Sequence, residues 1–539
     1  MPSQSESPSP SLTHARNRTE VYAVHGADPE VLAYAMAKYS RSALSMRESL
    51  QEISAQRAEQ FLNTFYFQYG HRSIADLAHV AFSIERLSLL AAIVLVDEQR
   101  WDGQERSTRY QNFLKSGWYL PDFGVDGEAR ELYARGVEGL FAAYEQTSAG
   151  VLEALKRRVA RPEGMKADAY ERTLKARAFD VARYLLPLGT NTSLGQIVNA
   201  RTLETQVSRL VSHPMAEVRD LGVKLREAAT GAAWNVNAAA AKGFVEKLGA
   251  VSPELAAEAV GLFAREVRTA PTLVKYAEAS PYLMETRAEL EQAAAELLRG
   301  VPVADAPVVD LVERTETLEV ELAATLIYWG SDHPYRQVRD VVAELPEARV
   351  AELVELGLRK RGRHDEALRV FHAGAALRFD ILMDIGGFRD MHRHRRVTQI
   401  QQGFTALHGY ETPTHGDLPA EDEAGPVDLL AEAGVLGTYR AAIEGANAAG
   451  REIAASSAAA EAGVSALYLL PLATRVRSLF KMDFAEAQYI SELRSGPAGH
   501  FSYRRVAWEM FLAIRRQHPS LAKHIRVTDF TEPIDLLKR

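Results

Sequence analysis

Apolar positions near the start of the chain recur at helical spacing. Val31, Leu32, Tyr34, Ala35 and Ala37 form one face, and Ile53, Ala58, Phe61, Leu62, Phe65 and Tyr66 form a second, which Gly70 ends as glycine does just past a helix. The period then changes. Val80, Phe82 and Ile84 alternate with Ala81, Ser83 and Glu85, which predicts a strand with one buried face. A wholly apolar run from Ser88 to Val96 follows and delivers the chain to a polar stretch, Asp97 to Phe113. Residues 128–159 and 166–184 read as helices again.

The same order of periods returns in the second half. Y-L-L-P-L occurs at Tyr184–Leu188 and again at Tyr468–Leu472. Working outward from that anchor, Val320 to Trp329 resembles the first helix and Ala351 to Leu358 the second, while Gly362-Arg363-His364 stands where Gly70-His71-Arg72 stood. Leu377, Phe379, Ile381 and Met383 alternate as the first strand does, and Arg393-His394-Arg395 falls opposite Asp97-Glu98-Gln99. The chain therefore reads as two tandem copies, residues 19–300 and 308–539, divided where Gly300, Pro302 and Pro307 interrupt a helical stretch. The mix of periods predicts an α/β fold of α+β type, each copy a sheet flanked by long helices. Residues 1–18 are rich in Ser and Pro and are expected to be a disordered tail.

Composition narrows the chemistry. At 539 residues and 47% apolar the chain is long enough for two cores. A formal charge of −8 argues against a nucleic-acid backbone or an anionic membrane as main partner, so any anion site must be local. No apolar run approaches a spanning helix and no secretory leader is seen, so a cytoplasmic protein is expected. The absence of cysteine excludes disulfides, thiolate-ligated zinc and a thiolate nucleophile. No metal site is expected, since His392 and His394 lack carboxylate or thiol partners at ligand spacing.

The stretches G-H-R-S-I-A-D at Gly70–Asp76 and E-R-S-T-R-Y at Glu105–Tyr110 resemble the flavin-dependent thymidylate synthases. That family's signature is Arg-His-Arg, seven residues and a serine, with a glutamate two before the serine and an arginine two after. Arg183 before L-L-P-L, Asn199-Ala200-Arg201, Arg209-Leu210 and Ala216 to Arg219 are similar to its second block. Each copy departs from the pattern. The first has Asp-Glu-Gln for Arg-His-Arg. The second keeps Arg-His-Arg but has Gln401, Gly403 and Thr405 for the glutamate, serine and arginine, and Asp483 and Ala485 for Asn199 and Arg201.

In the family the two segments that meet at one nucleotide come from different chains, so copies that lose opposite halves can still build a whole site between them. The resemblance implies a substrate-binding set of Glu105, Ser107, Arg109 and Arg183 from the first copy with Arg393 and Arg494 from the second. It implies flavin contacts at His71, Ser73, Asp76, Asn199, Arg201, His394 and Arg395. The implied reaction methylates dUMP to dTMP with FAD as cofactor, methylenetetrahydrofolate as carbon source and NADPH as reductant, in a homodimer that imitates a tetramer of single-domain subunits. The residue types suit such a substrate, because guanidinium forks bind a phosphate dianion with paired charge-assisted bonds. Two other readings stay open: a flavin- or nucleotide-binding paralogue without turnover, and a structural paralogue without ligand. Taken singly, His71 beside Gly70 also fits a capping or core role, and Glu105 with Arg109 a surface ion pair.

Overall fold

A computed structural model of the chain describes residues 22–537, apart from 23, 25, 39–45, 53–71, 276, 314, 363–364, 366–367, 372–376, 414–428, 457–461, 524, 533–534 and 536. The expected tail, the second helix with its terminating Gly70, and His71, Arg363 and His364 lie outside the described residues. The chain divides into two compact units, residues 1–78 with 232–272, and residues 79–231 with 273–539.

The first unit is helical where it is described. Pro29–Lys38 matches the first apolar face, and Met46–Glu52 follows it. The helices Ala238–Gly249 and Pro253–Phe263 complete the unit, the latter capped by Ser252, whose hydroxyl accepts the Leu255 N–H. Arg265 holds both carboxylate oxygens of Asp28, at 2.6 and 2.9 Å, and Glu30 accepts the Thr272 N–H at 2.9 Å.

The second unit holds two antiparallel sheets. One contains β1 (His79–Ser88), β2 (Asp102–Glu105) and β3 (Asn191–Asn199) in the order β1-β3-β2. The other contains β4 (Val309–Leu311), β5 (Leu377–Asp384), β6 (Thr398–Gln401) and β7 (Arg475–Met482) in the order β4-β5-β7-β6. The repeated Y-L-L-P-L segments pair with each other. Leu188 N–H donates to the Leu470 carbonyl at 2.8 Å and Leu472 N–H to the Leu186 carbonyl at 3.0 Å, and Gly189 to Tyr468 is answered by Ala473 to Tyr184. Reciprocal bonds of this kind are what a two-fold relation between equal segments produces. The two sheets are therefore joined about a local pseudo-two-fold through Pro187 and Pro471, which form an isolated bridge.

Register extends the equivalence. The repeat equates Ile197 with Lys481, and their partners on β2 and β6 are Asp102 and Thr398. Equal steps from there set Glu105 against Gln401, Ser107 against Gly403 and Arg109 against Thr405. Likewise β1 runs into α1 (Leu89–Leu95) and β5 into α7 (Ile385–Met391), where Leu89 N–H donates to Thr190 and Ile385 N–H to Thr474. Arg393 thus stands opposite Asp97, as the repeat in the sequence has it.

The helices between these are α2 (Gly127–Arg158), α3 (Ala167–Ala182), α4 (Ala200–Val211), α5 (Ala216–Thr230) and α6 (Leu318–Trp329). After α7 come α8 (Leu436–Ala455), α9 (Phe484–Ser495) and α10 (Phe501–Gln517). Long α2 packs along α8 beside the pseudo-axis. Gly136 meets Leu469, and Gly150 meets Val435 just before α8.

One expectation needs correcting. The alternation in β5 predicts one buried face, yet nearly every residue of the strand is buried, including the polar ones between Leu377, Phe379, Ile381 and Met383. Helix α6 and its surroundings cover the second face, and the charges there are paired: Arg378 with Glu316, Asp380 with Arg477 at 3.0 Å, and Lys481 of β7 with Glu321 at 3.1 Å. Buried charge is tolerated only with such partners, so period-two alternation here marks paired polar residues, not solvent exposure.

Candidate functional site

The polar stretch after α1 descends along β2, and its motif residues leave the sheet at Glu105. Ser107, Thr108 and Arg109 then turn toward α7 and line one cleft with Arg106, Arg183, Gly386, Arg389, Asp390 and Arg393. Residues of both copies therefore meet within a single chain. Arg109 and Arg183 come from the first copy. Arg389, Asp390 and Arg393 come from α7 and the turn that follows it.

Each guanidinium is held differently. Arg109 is buried and forked onto Asp180 of α3, Nε to Oδ1 at 2.7 Å and Nη2 to Oδ2 at 3.2 Å, and its Nη1 donates to the Tyr503 hydroxyl at 3.0 Å. Burial alone would lower its pKa, but the Asp180 charge outweighs that and raises it, so the group stays charged. Arg183 begins the short 3-10 turn Arg183–Leu185, which fixes it against the cleft floor, and faces Asp390 Oδ2 at 3.4 Å. Arg389 pairs with Glu105. Arg106 is anchored by Gln111, Ser116 and the Asn112 carbonyl. Arg393 is exposed and makes no hydrogen bond or ion pair to a described residue. The Nε groups of Arg183 and Arg389 are buried without a hydrogen-bond partner among the described residues.

Asp390 is the one acid among these lining residues. Burial works to raise its pKa, but the charges of Arg183, Arg109, Arg393 and Arg494 hold it below the ordinary value. Five guanidiniums face three carboxylates, Asp180, Glu105 and Asp390, and the balance is two positive charges. The open space is small, about 20 Å³, room for about one water.

The remaining expected residues are placed as follows. Arg494 does not line the cleft. Its Nε donates to His394 Nε2 at 2.8 Å, and its guanidinium stacks 5.4 Å from the Tyr503 ring, so Tyr503 touches both Arg494 and Arg109. His394 is buried between Arg494 and Glu486 of α9, and burial together with the Arg494 charge lowers its pKa to about 3. It is a neutral ring with both nitrogens engaged, turned into the protein interior. Arg395 pairs with Asp102 at 2.9 Å and lies 4.7 Å over the Trp101 ring. Asn199 caps α4, its side chain accepting the Thr202 N–H at 2.8 Å, and Arg201 is half-buried on that helix. Asp102 pairs with Ile197, two residues before Asn199, so Arg395, Asn199 and Arg201 gather at one end of the first sheet. Ile197, between them, is exposed. That edge offers cations and an apolar surface. Ser73 and Asp76 belong to the first unit, in the 3-10 helix Arg72–Leu77.

The residues missed by sequence reasoning are Arg389, Asp390, Asp180 and Tyr503. For the first two a signal existed: an Arg-Asp pair in an otherwise apolar seven-residue helix, one turn before Arg393. Asp180 and Tyr503 carry no local signal.

The pseudo-symmetric place lacks this chemistry. The positions equivalent to Arg109, Arg183, Arg389, Asp390 and Arg393 are Thr405, Leu467, Ile93, Val94 and Asp97. Asp97 there is tied to Arg369 and lies 3.6 Å from His392, and Glu98 holds Arg209 at 2.7 Å. Among the described residues, this cluster of arginines is kept at one of the two pseudo-symmetric places.

The model of the thymidylate synthase complementing protein family matches twice, over residues 22–233 and 310–520. A UPF0159 protein of Chlamydia muridarum is 27% identical over 532 residues, covering 94% of this chain and 91% of its own. A UPF0159 protein of Thermoplasma acidophilum is 25% identical over 536 residues, covering 92% and 94%. A flavin-dependent thymidylate synthase of Clostridium tetani is 25% identical over 177 residues, 33% of this chain and 67% of the relative. Among solved structures, a flavin-dependent thymidylate synthase of Helicobacter pylori complexed with FAD and dUMP aligns with 38% of this chain and 89% of its own, at 16% identity and a TM-score of 0.25. With its two matches spanning most of the sequence, the chain belongs to the thymidylate synthase complementing protein family and carries that domain twice in tandem.

Proposed function

We propose that the chain is a flavin-dependent thymidylate synthase that methylates dUMP to dTMP with methylenetetrahydrofolate and NADPH, at one composite cleft per chain. The observation that carries this is the meeting of Ser107, Arg109 and Arg183 of the first copy with Arg393 of the second around one net-positive cleft. Arg393, exposed and uncommitted among the described residues, would take the phosphate first. Arg109 and Arg183, already oriented by Asp180 and Asp390, would hold the nucleotide against Ser107. FAD, when bound, would supply the hydride chemistry that a thiol-free chain needs. Arg395 and Arg201 would hold its phosphates at the edge of the first sheet.

A second reading, a nucleotide- or flavin-binding paralogue without turnover, is favoured by one observation: three of the guanidiniums already hold carboxylates around a space of about 20 Å³. Complementation of a thymidine-requiring strain separates the two. The wild-type chain is expected to restore growth, and Ser107→Ala and Arg393→Ala each to abolish it although they lie in different copies. Normal growth with Arg393→Ala would remove the composite site. A yellow protein that binds dUMP and never restores growth would establish the second reading.

A further inference from the structure

Within the proposed nucleotide cleft, and resting on that reading, we infer that Asp390 is the residue that selects the ligand. It accepts a hydrogen bond from a donor on the nucleotide's base or sugar and makes a fully ionised oxyanion such as sulfate a poor occupant. The argument is one of matching donors and acceptors. The cleft's side chains hold unsatisfied donors in Arg183 Nε and Arg389 Nε, and Arg393 has no partner among the described residues. Among the described residues they hold one anionic acceptor with an uncommitted oxygen. Both contacts of Arg183 with Asp390, at 3.4 and 3.5 Å, go to the same oxygen, Oδ2, while Oδ1 accepts from no described residue.

Inorganic phosphate keeps a P–OH donor near neutral pH, but a fully ionised oxyanion such as sulfate offers only acceptors. It satisfies the guanidiniums but leaves the Asp390 carboxylate unpaired and beside another anion, which is costly in a desolvated site. A nucleotide that presents an N–H or O–H a few ångströms from its phosphate satisfies every group. The start of α7 lets Arg183 lie close: a Cβ at Gly386 would sit 3.4 Å from Arg183 Nη2. Neither the pseudo-symmetric Val94 nor any other lining residue offers an anionic acceptor.

The test is binding of sulfate and of dUMP to the full-length chain and to Asp390→Ala and Asp390→Asn, by titration calorimetry, with circular dichroism reporting the fold. Two wild-type arms locate the donor: dUMP methylated on the ring imide nitrogen, and dUMP lacking the sugar hydroxyl. The preference of the wild type for dUMP over sulfate is expected to fall about tenfold or more in Asp390→Ala, the worth of one charge-assisted bond. Sulfate itself should bind more tightly to Asp390→Asn, and one of the two analogues should bind the wild type as weakly as dUMP binds Asp390→Ala. An unchanged dUMP-to-sulfate preference in both folded variants overturns the inference while leaving the cleft as a nucleotide site. Failure of the wild type to bind dUMP at all overturns the proposed function, and this inference with it.

Discussion

Asp180 shows how a single side chain gives an arginine its role. It lies in α3 among apolar neighbours, is 2% exposed, and forks onto Arg109 far along the chain. Removing one partner of a buried pair strands the other charge, so Asp180→Ala is expected to destabilise the protein by about 3–5 kcal/mol. Urea unfolding measures this, and a loss below about 1 kcal/mol would mean that Arg109 finds another partner. Asp384 gives a pH signature. It is buried, caps α7 through the Gly387 N–H at 2.7 Å, and touches Ser502, and burial raises its pKa to about 6. A carboxyl whose pKa rises on folding favours the folded state below its unfolded pKa, near 3.8, and loses that contribution as pH climbs through 6. Asn caps as well as Asp but carries no charge. Asp384→Asn should therefore melt higher than wild type at pH 8, by on the order of 2–3 kcal/mol of stability, with the gap closing at pH 4. Equal melting curves at pH 8 would contradict it.

Among the elements, β2 and α7 bring the two halves of the motif together. β2 is four residues long and ends at Glu105, which grips Arg389 of α7. Its central Gly103 lies so close to β3 that a Cβ would sit 2.3 Å from the Gly195 carbonyl oxygen and 2.6 Å from the Trp101 ring. Backbone on one side cannot yield, so Gly103→Ala should cost about 1–3 kcal/mol and displace Glu105, weakening dUMP binding as well. Gly139, on the exposed face of α2 with open space around it, provides the contrast: Gly139→Ala should gain up to about 1 kcal/mol. Thermal melts of the two variants check both signs. The start of α7 also shows how the copies diverged. In the first copy Ser88 caps α1 and its hydroxyl meets Glu217 of α5 at 2.6 Å, whereas in the second Asp384 caps α7 and meets Ser502 of α10. Acid and hydroxyl have changed places while the junction kept its geometry, because the fold requires the pair and not the order.

Across the second unit, the paired Y-L-L-P-L segments place the two sheets about a pseudo-two-fold, and symmetry offers two clefts where one has kept its charges. There Thr405, Leu467, Ile93 and Asp97 stand for Arg109, Arg183, Arg389 and Arg393, and the arginines described nearby, Arg369 and Arg209, are paired with Asp97 and Glu98. Calorimetric titration with dUMP should accordingly give one site per chain, and two sites of similar affinity would show that the diverged place still binds.

The sequence by itself determined the tandem organisation, the mixed helix-and-sheet class and the first helix of each copy, because apolar periodicity and a repeated pentapeptide are local records of burial. It also determined which motif residues each copy kept, since Ser107, Arg109 and Arg393 are legible in order and spacing alone. Only the tertiary structure decided that the two halves share a cleft within one chain, that Arg389 and Asp390 belong to it, and that His394 turns inward to Arg494 and Glu486. It alone showed that the polar residues of β5 are buried in pairs. The physical reason is distance along the chain: a guanidinium's partner, and so its charge balance and direction, is set by groups tens to hundreds of residues away that no local pattern records.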